Sequence, residues 1–184
     1  MYKQIFVLDC ESIGLHGEVF AYGYVVVDSS SGNELEKGYA ACYGENKWPL
    51  PLNRSEVEDQ EWVQKNVLPA LSGATYTNFQ SVREAFWKAW LSWKAQGAVL
   101  AADCAWPVEA NFLSECIRTD LLDRKWQGPY PLLEISTALL MAGMDPLGEY
   151  ERLPKERPKH HPTADARQSA RLLLQAMQKL KAIP

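Results

Sequence analysis

Residues 4–28 of the 184-residue chain, QIFVLDCESIGLHGEVFAYGYVVVD, decide the fold because they contain two strand patterns joined by a short loop. Residues 4–8 are a continuous apolar run, which is typical of a central strand with both faces covered. Residues 18–28 are rich in aromatic and β-branched side chains, which favour strands. Asp9 and Glu11 follow the first run directly, so we expect a polar site where that strand ends.

The following segments extend this pair of strands into a sheet. Residues 28–33 form a turn cluster, and residues 35–43 predict a third strand that returns antiparallel to the second. Residues 98–102 and 132–135 are short apolar runs preceded and followed by helical patterns, which predicts parallel strands. The sequence therefore predicts one α/β domain over residues 1–184. Its mixed five-stranded sheet has three antiparallel strands first, then parallel strands, and is flanked by helices.

Helical patterns fill the segments between these strands. An irregular loop is expected at residues 43–56, and a helix follows it over about residues 58–71. Ser81 and Glu84 fit a capping box, so the next helix is expected to begin at Ser81. We interpret the aromatic stripe on that helix as core rather than as a surface for base stacking: Phe86, Trp87, Trp90 and Trp93. Further helices are expected to begin near Pro107, to be capped by Ser136, and to span about residues 163–181.

The composition limits the class of protein. With 47% hydrophobic and 23% charged residues, the chain has the composition of a globular domain. It has no basic leader and no apolar run near the ~20 residues that span a bilayer, so we expect a soluble, cytoplasmic protein without a membrane partner. Its four cysteines form no C-x-x-C pair and are expected to be reduced. A net charge of -4 gives no general attraction to nucleic acid, so cations and local Lys or Arg residues would have to supply it.

The pair Asp9 and Glu11 indicates a metal site. A strand's period of two places both carboxylates on the same face. Two such charges repel each other unless a cation lies between them, and carboxylates readily bind Mg²⁺ or Mn²⁺. Taken alone, the pair also fits two solvated carboxylates at a strand end.

Four further residues could join this pair. Asp103 follows the strand pattern of residues 98–102, at the carboxyl end where open α/β sheets gather their ligands. Glu109 lies in the first turn of the helix that Pro107 opens, where the helix dipole favours an anion. His160 and Asp165 are five residues apart at the start of the last helix. Histidine titrates near neutrality and transfers protons, whereas Asp165 could complete the ligands of a second ion.

Two motifs now carry a resemblance to a known family. Residues 9–15, DCESIGL, match D-x-E-[ST]-x-G-L, and residues 160–165, HHPTAD, match H-x(4)-D before an Ala-rich helix. The chain thus resembles the DEDDh branch of the 3′-5′ exonucleases, which have a ribonuclease H-like fold. The resemblance extends over essentially the whole domain in element order, and the joint occurrence of both motifs is more specific than either one.

The middle motif departs from the family pattern, which has an aromatic-Asp pair shortly before Phe-Leu. Alignment on residues 112–113 puts Glu109 in the ligand position, whereas Asp103 keeps the commoner residue type, so both are candidates for the third acid. The resemblance implies that the acids bind two Mg²⁺ or Mn²⁺ ions and that His160 is the general base. The implied metal ligands are Asp9, Glu11, Asp165 and either Asp103 or Glu109.

The same resemblance implies a substrate and a reaction. Ser12, Gly14 and Leu15 would line the pocket for the 3′-terminal nucleotide, with Leu15 as a wedge against its base. The reaction would hydrolyse the terminal phosphodiester of single-stranded DNA or RNA and release nucleoside 5′-monophosphates. Nothing in the sequence chooses between DNA and RNA or gives the oligomeric state.

Two other functions are compatible with parts of the pattern. A haloacid-dehalogenase-like phosphatase also begins with an aspartate at a strand end, but it needs Asp or Thr where Glu11 stands, and the predicted hairpin fits it poorly. A non-catalytic ribonuclease H-like domain that binds nucleic acid or a protein is the main alternative. The presence of every acid together with His160 favours the enzyme.

Overall fold

The computed structural model describes residues 2–42 and 57–182, and it contains the predicted mixed sheet. The strands are β1 (Gln4–Ser12), β2 (Val19–Asp28), β3 (Glu34–Ala41), β4 (Val99–Ala102) and β5 (Leu132–Glu134). They lie in the order β3-β2-β1-β4-β5. β2 is antiparallel to both β1 and β3, whereas β4 is parallel to β1 and β5 is parallel to β4. The predicted loop at residues 43–56 lies outside the described residues.

Helices cover both faces of this sheet. They are α1 (Val57–Asn66), α2 (Phe79–Lys94), α3 (Val108–Arg118), α4 (Leu121–Arg124), α5 (Ile135–Met141) and α6 (Pro162–Lys181). Phe6 and Leu8 of β1 pack with the aromatic side chains of α2, which confirms the predicted core stripe. Ile5 and Val7 point to the other face, where α5 and α6 pack. Among the described helices, none is both long and apolar enough to cross a lipid bilayer.

Three predicted helix boundaries were wrong. Helix α2 begins before Ser81, because the side chain of Asn78 accepts the Ser81 N–H at 2.8 Å and caps the helix instead. Ser136 does not cap α5 either, since it lies inside the helix and its hydroxyl donates to the Asp103 carbonyl at 3.2 Å. Helix α1 ends at Asn66 rather than near residue 71, because Pro69 has no N–H to continue the helical hydrogen bonds.

Gly23 lets the start of α6 lie directly on the sheet. A Cβ atom at Gly23 would stand 2.1 Å from the backbone nitrogen of Thr163, so only a residue without a side chain fits there. The hydroxyl of Thr163 donates to the carbonyl of Gly38 at 3.0 Å and fixes the contact. Gly23 is also the β2 partner of Asp9. The first turn of α6, which carries Asp165, is therefore held beside the acidic end of β1.

We predict that Gly23→Ala lowers the free energy of unfolding by about 1–3 kcal/mol, because the added methyl overlaps backbone atoms that cannot rotate away. Chemical denaturation of purified protein would measure this. Gly148→Ala is the matched control. Its Cβ would stand 3.2–3.3 Å from the Asp145 side chain and backbone, which is a milder contact than at Gly23, so we expect a smaller loss of stability. Equal stability of the Gly23 and Gly148 variants would contradict the proposed close packing.

Candidate metal centre

The end of β1, the loop before α6 and the first turn of α6 bring three of the predicted site residues together. Oxygen and nitrogen atoms of Glu11, His160 and Asp165 lie within 4.8 Å of one another. Asp9 belongs to the same face of β1 as Glu11, because the two residues are separated by one position in a continuous strand. This is also the face that α6 covers. Residues that are about 150 positions apart in sequence thus form one cluster.

The electrostatics of the cluster call for a cation. Burial, followed by repulsion from Asp165 and Glu11, raises the pKa of Asp9 well above its ordinary value. Burial, followed by repulsion from Asp165 and Glu109, raises the pKa of Glu11 to about 9. Both shifts mean that ionised carboxylates are unfavourable here without a positive charge. A divalent ion among them would relieve the repulsion.

Glu109, one candidate for the third acid, is tied to β1. Its side chain is only 8% exposed, and its Oε1 accepts the backbone N–H of Cys10 at 3.1 Å. Burial raises the pKa of Glu109 to about 7, although this hydrogen bond and one from its own backbone act in the opposite direction. Glu109 in turn raises the pKa of both Asp9 and Glu11. Glu109 thus lies beside β1 at Cys10, between the two carboxylates in sequence order, and remains a candidate for the third acid.

Asp103, the other candidate, stands after the last residue of β4 and is linked to α6. Burial raises its pKa, and a hydrogen bond with the Ser169 hydroxyl lowers it, while Glu134 and Asp165 repel the carboxylate. Its Oδ1 atom is buried and has no hydrogen-bond partner within the described part of the chain. A buried, unpartnered carboxylate oxygen is costly unless a ligand meets it. The structure thus brings both candidates to the edge of the cluster.

His160 is held by its backbone and by an aromatic neighbour. Its φ of 65° is left-handed, and its N–H donates to Oδ2 of Asp165 at 3.0 Å. The ring of Trp62, which projects from α1, meets the His160 ring edge-on with centroids 5.0 Å apart. Burial lowers the pKa of His160, while Asp165 opposes this shift. The imidazole is thus mainly neutral at pH 7 and able to accept a proton.

Arg152 is a site residue that the sequence did not reveal. Its guanidinium forms an ion pair with Oδ1 of Asp165 and donates to the carbonyl of Glu156 at 2.9 Å. Glu156 is fully buried and receives two hydrogen bonds from Arg171 of α6, at 2.7 and 2.9 Å. These contacts fasten the segment before His160 to α6. No motif identifies Arg152 or Trp62, because each acts through a contact distant in sequence.

The predicted substrate-pocket residues form a tight turn after β1. The hydroxyl of Ser12 donates to the carbonyl of Gly14 at 2.7 Å. Gly14 has a φ of 65°, and a Cβ there would stand 2.3 Å from Oδ2 of Asp59, so α1 closes over the turn. Leu15 is 65% exposed and projects into solvent. The turn and Trp62 therefore flank the acidic cluster on the side of α1.

The donor set fits hard divalent cations. Carboxylate oxygens are the ligands that Mg²⁺ and Mn²⁺ prefer, and the group formed by the described residues contains no thiolate that would favour a softer metal. The raised pKa values of Asp9 and Glu11 and the buried oxygen of Asp103, which has no hydrogen-bond partner among the described residues, are consistent with a cation-binding site.

We predict that Glu11→Gln stabilises the metal-free protein at alkaline pH. A carboxyl whose pKa is higher in the folded than in the unfolded chain binds more protons when folded, so its contribution falls as the pH rises from about 4.5 to about 9. Urea denaturation in EDTA at pH 5 and pH 8 should therefore give a flatter pH dependence for the variant. Exposed Glu149→Gln is the control and should change stability by less than about 0.5 kcal/mol. An unchanged pH slope for Glu11→Gln would refute the buried repulsion.

We predict the opposite effect at Glu156. Burial opposes ionisation there, but hydrogen bonds from Arg171 and from the Leu153 N–H hold its pKa below the ordinary value. Its contribution is therefore present above pH 4.5 and is lost on acidification. Glu156→Gln should lower stability at pH 7 by about 1.5–3 kcal/mol, with a smaller loss near pH 3, in urea denaturation. A loss that does not change with pH would show that the charge of Glu156 is unimportant.

The fold is shared with solved exonucleases, although no protein-family model and no curated protein sequence matches the chain. The nuclease domain of 3'hExo, a DEDDh family member bound to rAMP, is 17% identical, with 96% of this chain and 92% of that chain covered and a TM-score of 0.52. A 3'-exonuclease described in 3'-end specific recognition of a histone mRNA stem-loop is 14% identical over 96% and 82%, with a TM-score of 0.51. Product-bound exonuclease I is 11% identical with a TM-score of 0.54, and 44% of its length is covered. The chain has the ribonuclease H-like fold of these exonucleases, which confirms the predicted resemblance at the level of structure.

Proposed function

We propose that the protein is a metal-dependent 3′-5′ exonuclease that removes nucleotides from the end of single-stranded DNA or RNA. The observation that carries this proposal is the convergence of Glu11, His160 and Asp165 within 4.8 Å. The cluster stands on a fold shared with 3'-exonucleases. One of these was solved with rAMP and another concerns the 3′ end of an mRNA stem-loop, which supports a nucleic-acid substrate here.

Two Mg²⁺ or Mn²⁺ ions would be held by the acidic cluster. Their chemistry would be to acidify a water molecule and to stabilise the leaving 3′ oxygen of an in-line displacement. Asp9 and Glu11 supply oxygen donors from β1, and Asp165 supplies them from α6. Either Asp103 or Glu109 would complete the set as the third acid.

The protein's own groups position and deprotonate the attacking water. A ring nitrogen of His160 accepts the proton, since the imidazole is mainly neutral at pH 7 and has Asp165 beside it to stabilise the charged form. Trp62 restricts the orientation of that ring. Ser12, Gly14 and Leu15 receive the terminal nucleotide, with the exposed Leu15 against its base. The product is a nucleoside 5′-monophosphate.

The test is stepwise shortening of labelled oligomers. Single-stranded DNA and RNA carrying a 5′ label should lose one nucleotide at a time with Mn²⁺ or Mg²⁺, and should remain intact in EDTA. His160→Ala should lower the rate by about 10²- to 10⁴-fold, the usual contribution of a general base. His16→Ala, which removes an exposed histidine, is the matched control with a normal rate.

Three outcomes would reject the proposal. Hydrolysis that persists in EDTA would exclude the metal mechanism. Release of phosphate from mononucleotides without shortening of oligomers would indicate a phosphatase. Binding of the oligomer without any release of nucleotides in Mn²⁺ would identify a non-catalytic binding domain.

A further inference from the structure

A second, basic cavity lies beside the acidic cluster. It has a volume of about 550 Å³ and is formed by β3, the residues after the turn Leu68–Ala70, and the start of α6. Its described lining contains three cationic side chains and no carboxylate. The polar and charged groups that matter are Lys37, Tyr39, Ser72, Arg157, His161 and Arg167.

The cavity and the metal centre share the start of α6. His161, which lines the cavity, directly follows His160, and Thr163 and Ala164, which also line it, directly precede Asp165. A strand whose 3′ end occupies the metal centre would thus pass the cavity with an adjacent part of its backbone.

The cavity is built in the way that an anion site requires. Its wall is rigid, because the His161 ring stacks on Tyr39 with centroids 5.1 Å apart and its Nε2 lies 2.8 Å from the Ser72 hydroxyl. The positive end of the 20-residue helix α6 borders the cavity. An anionic ligand in the cavity would therefore contact the positive end of α6 and polar side chains that are already held in place.

Two of the three cations are free to meet a ligand. Arg167 is committed to Glu34, which accepts two hydrogen bonds from it at 2.8 Å. Lys37 and Arg157 are both exposed, and neither forms an ion pair with any residue that the structure describes. Arg157 only donates a long hydrogen bond, 3.5 Å, to the Arg152 carbonyl.

We propose that Lys37 and Arg157 bind a backbone phosphate of a single-stranded nucleic acid upstream of its 3′-terminal nucleotide. This inference rests on the proposed exonuclease function. With a net charge of -4, the protein as a whole does not attract nucleic acid, so the attraction must be local. The basic cavity supplies it next to the acidic cluster, and it holds the strand in register with the site of hydrolysis.

The test is to measure, by fluorescence anisotropy in Ca²⁺ at several salt concentrations, how tightly the 184-residue chain binds a 5′-fluorescein-labelled six-residue oligothymidylate. The double variant Lys37→Gln/Arg157→Gln should bind about tenfold more weakly, as expected for the loss of charge-assisted hydrogen bonds. The slope of log affinity against log salt should also fall by about 0.7, which is the contribution of one phosphate contact on a single strand. A merely structural role would not change this slope.

Matched variants separate this site from a general charge effect. Lys179→Gln/Lys181→Gln removes the same charge at the other end of α6, more than about 20 Å along the helix, and should bind like the parent. Lys37→Gln alone should show about half of the slope change and does not touch the segment that leads to His160. An unchanged slope in both Lys37 variants, or an equal loss in the α6 control, would overturn the inference.

The binding measurement and the nuclease assay test the two proposals separately. If the parent protein released no nucleotides in Mn²⁺ while the Lys37 variants lost affinity, the phosphate site would be retained and the exonuclease function rejected. If nucleotides were released while the Lys37 variants bound normally, the exonuclease function would be retained and the phosphate site rejected.

Discussion

Repulsion between buried carboxylates is the constraint on which the arrangement of this protein depends. The carboxylate of Asp9 is repelled by four other acids, which lie on β1, α3 and α6 and at the end of β4. Such a group of like charges separates unless rigid elements hold it together. The sheet supplies that rigidity, because β1 is hydrogen-bonded on both sides and buried on both faces. The bare backbone of Gly23 then allows α6 to approach within contact distance.

Side chains of α6 hold the segment between α5 and α6 in place. Residues 143–161 contain no long helix or strand, yet Arg171, Arg167 and Gln168 of α6 donate to backbone carbonyls along them. Buried Glu156 adds a two-point ion pair with Arg171. The position of His160 is therefore set by α6 rather than by the length of the loop. The position of His160 and the packing of α6 thus depend on the same set of hydrogen bonds.

The sequence predicted the parts that local periodicity governs. Alternation placed Asp9 and Glu11 on one face, and the short apolar run before Asp103 predicted a parallel strand, because both patterns depend on neighbouring residues alone. The helix starts at Ser81 and Ser136 were wrong, since capping depends on which nearby group wins the same N–H or carbonyl. Arg152 and Trp62 were missed because their contacts join α1, α6 and the intervening loop, which no local pattern encodes.

The ion pair between Arg152 and Asp165 has a consequence for folding: the acidic cluster already contains one positive charge that belongs to the chain itself. Small zinc domains unfold when the ion is withdrawn, because the ion is the principal link between their ligands. Here a guanidinium of the chain itself already offsets one of the acids, and a large apolar core holds the rest. If the proposed ions bind, the chain would thus not need them in order to fold, and their exchange would not cost the native structure.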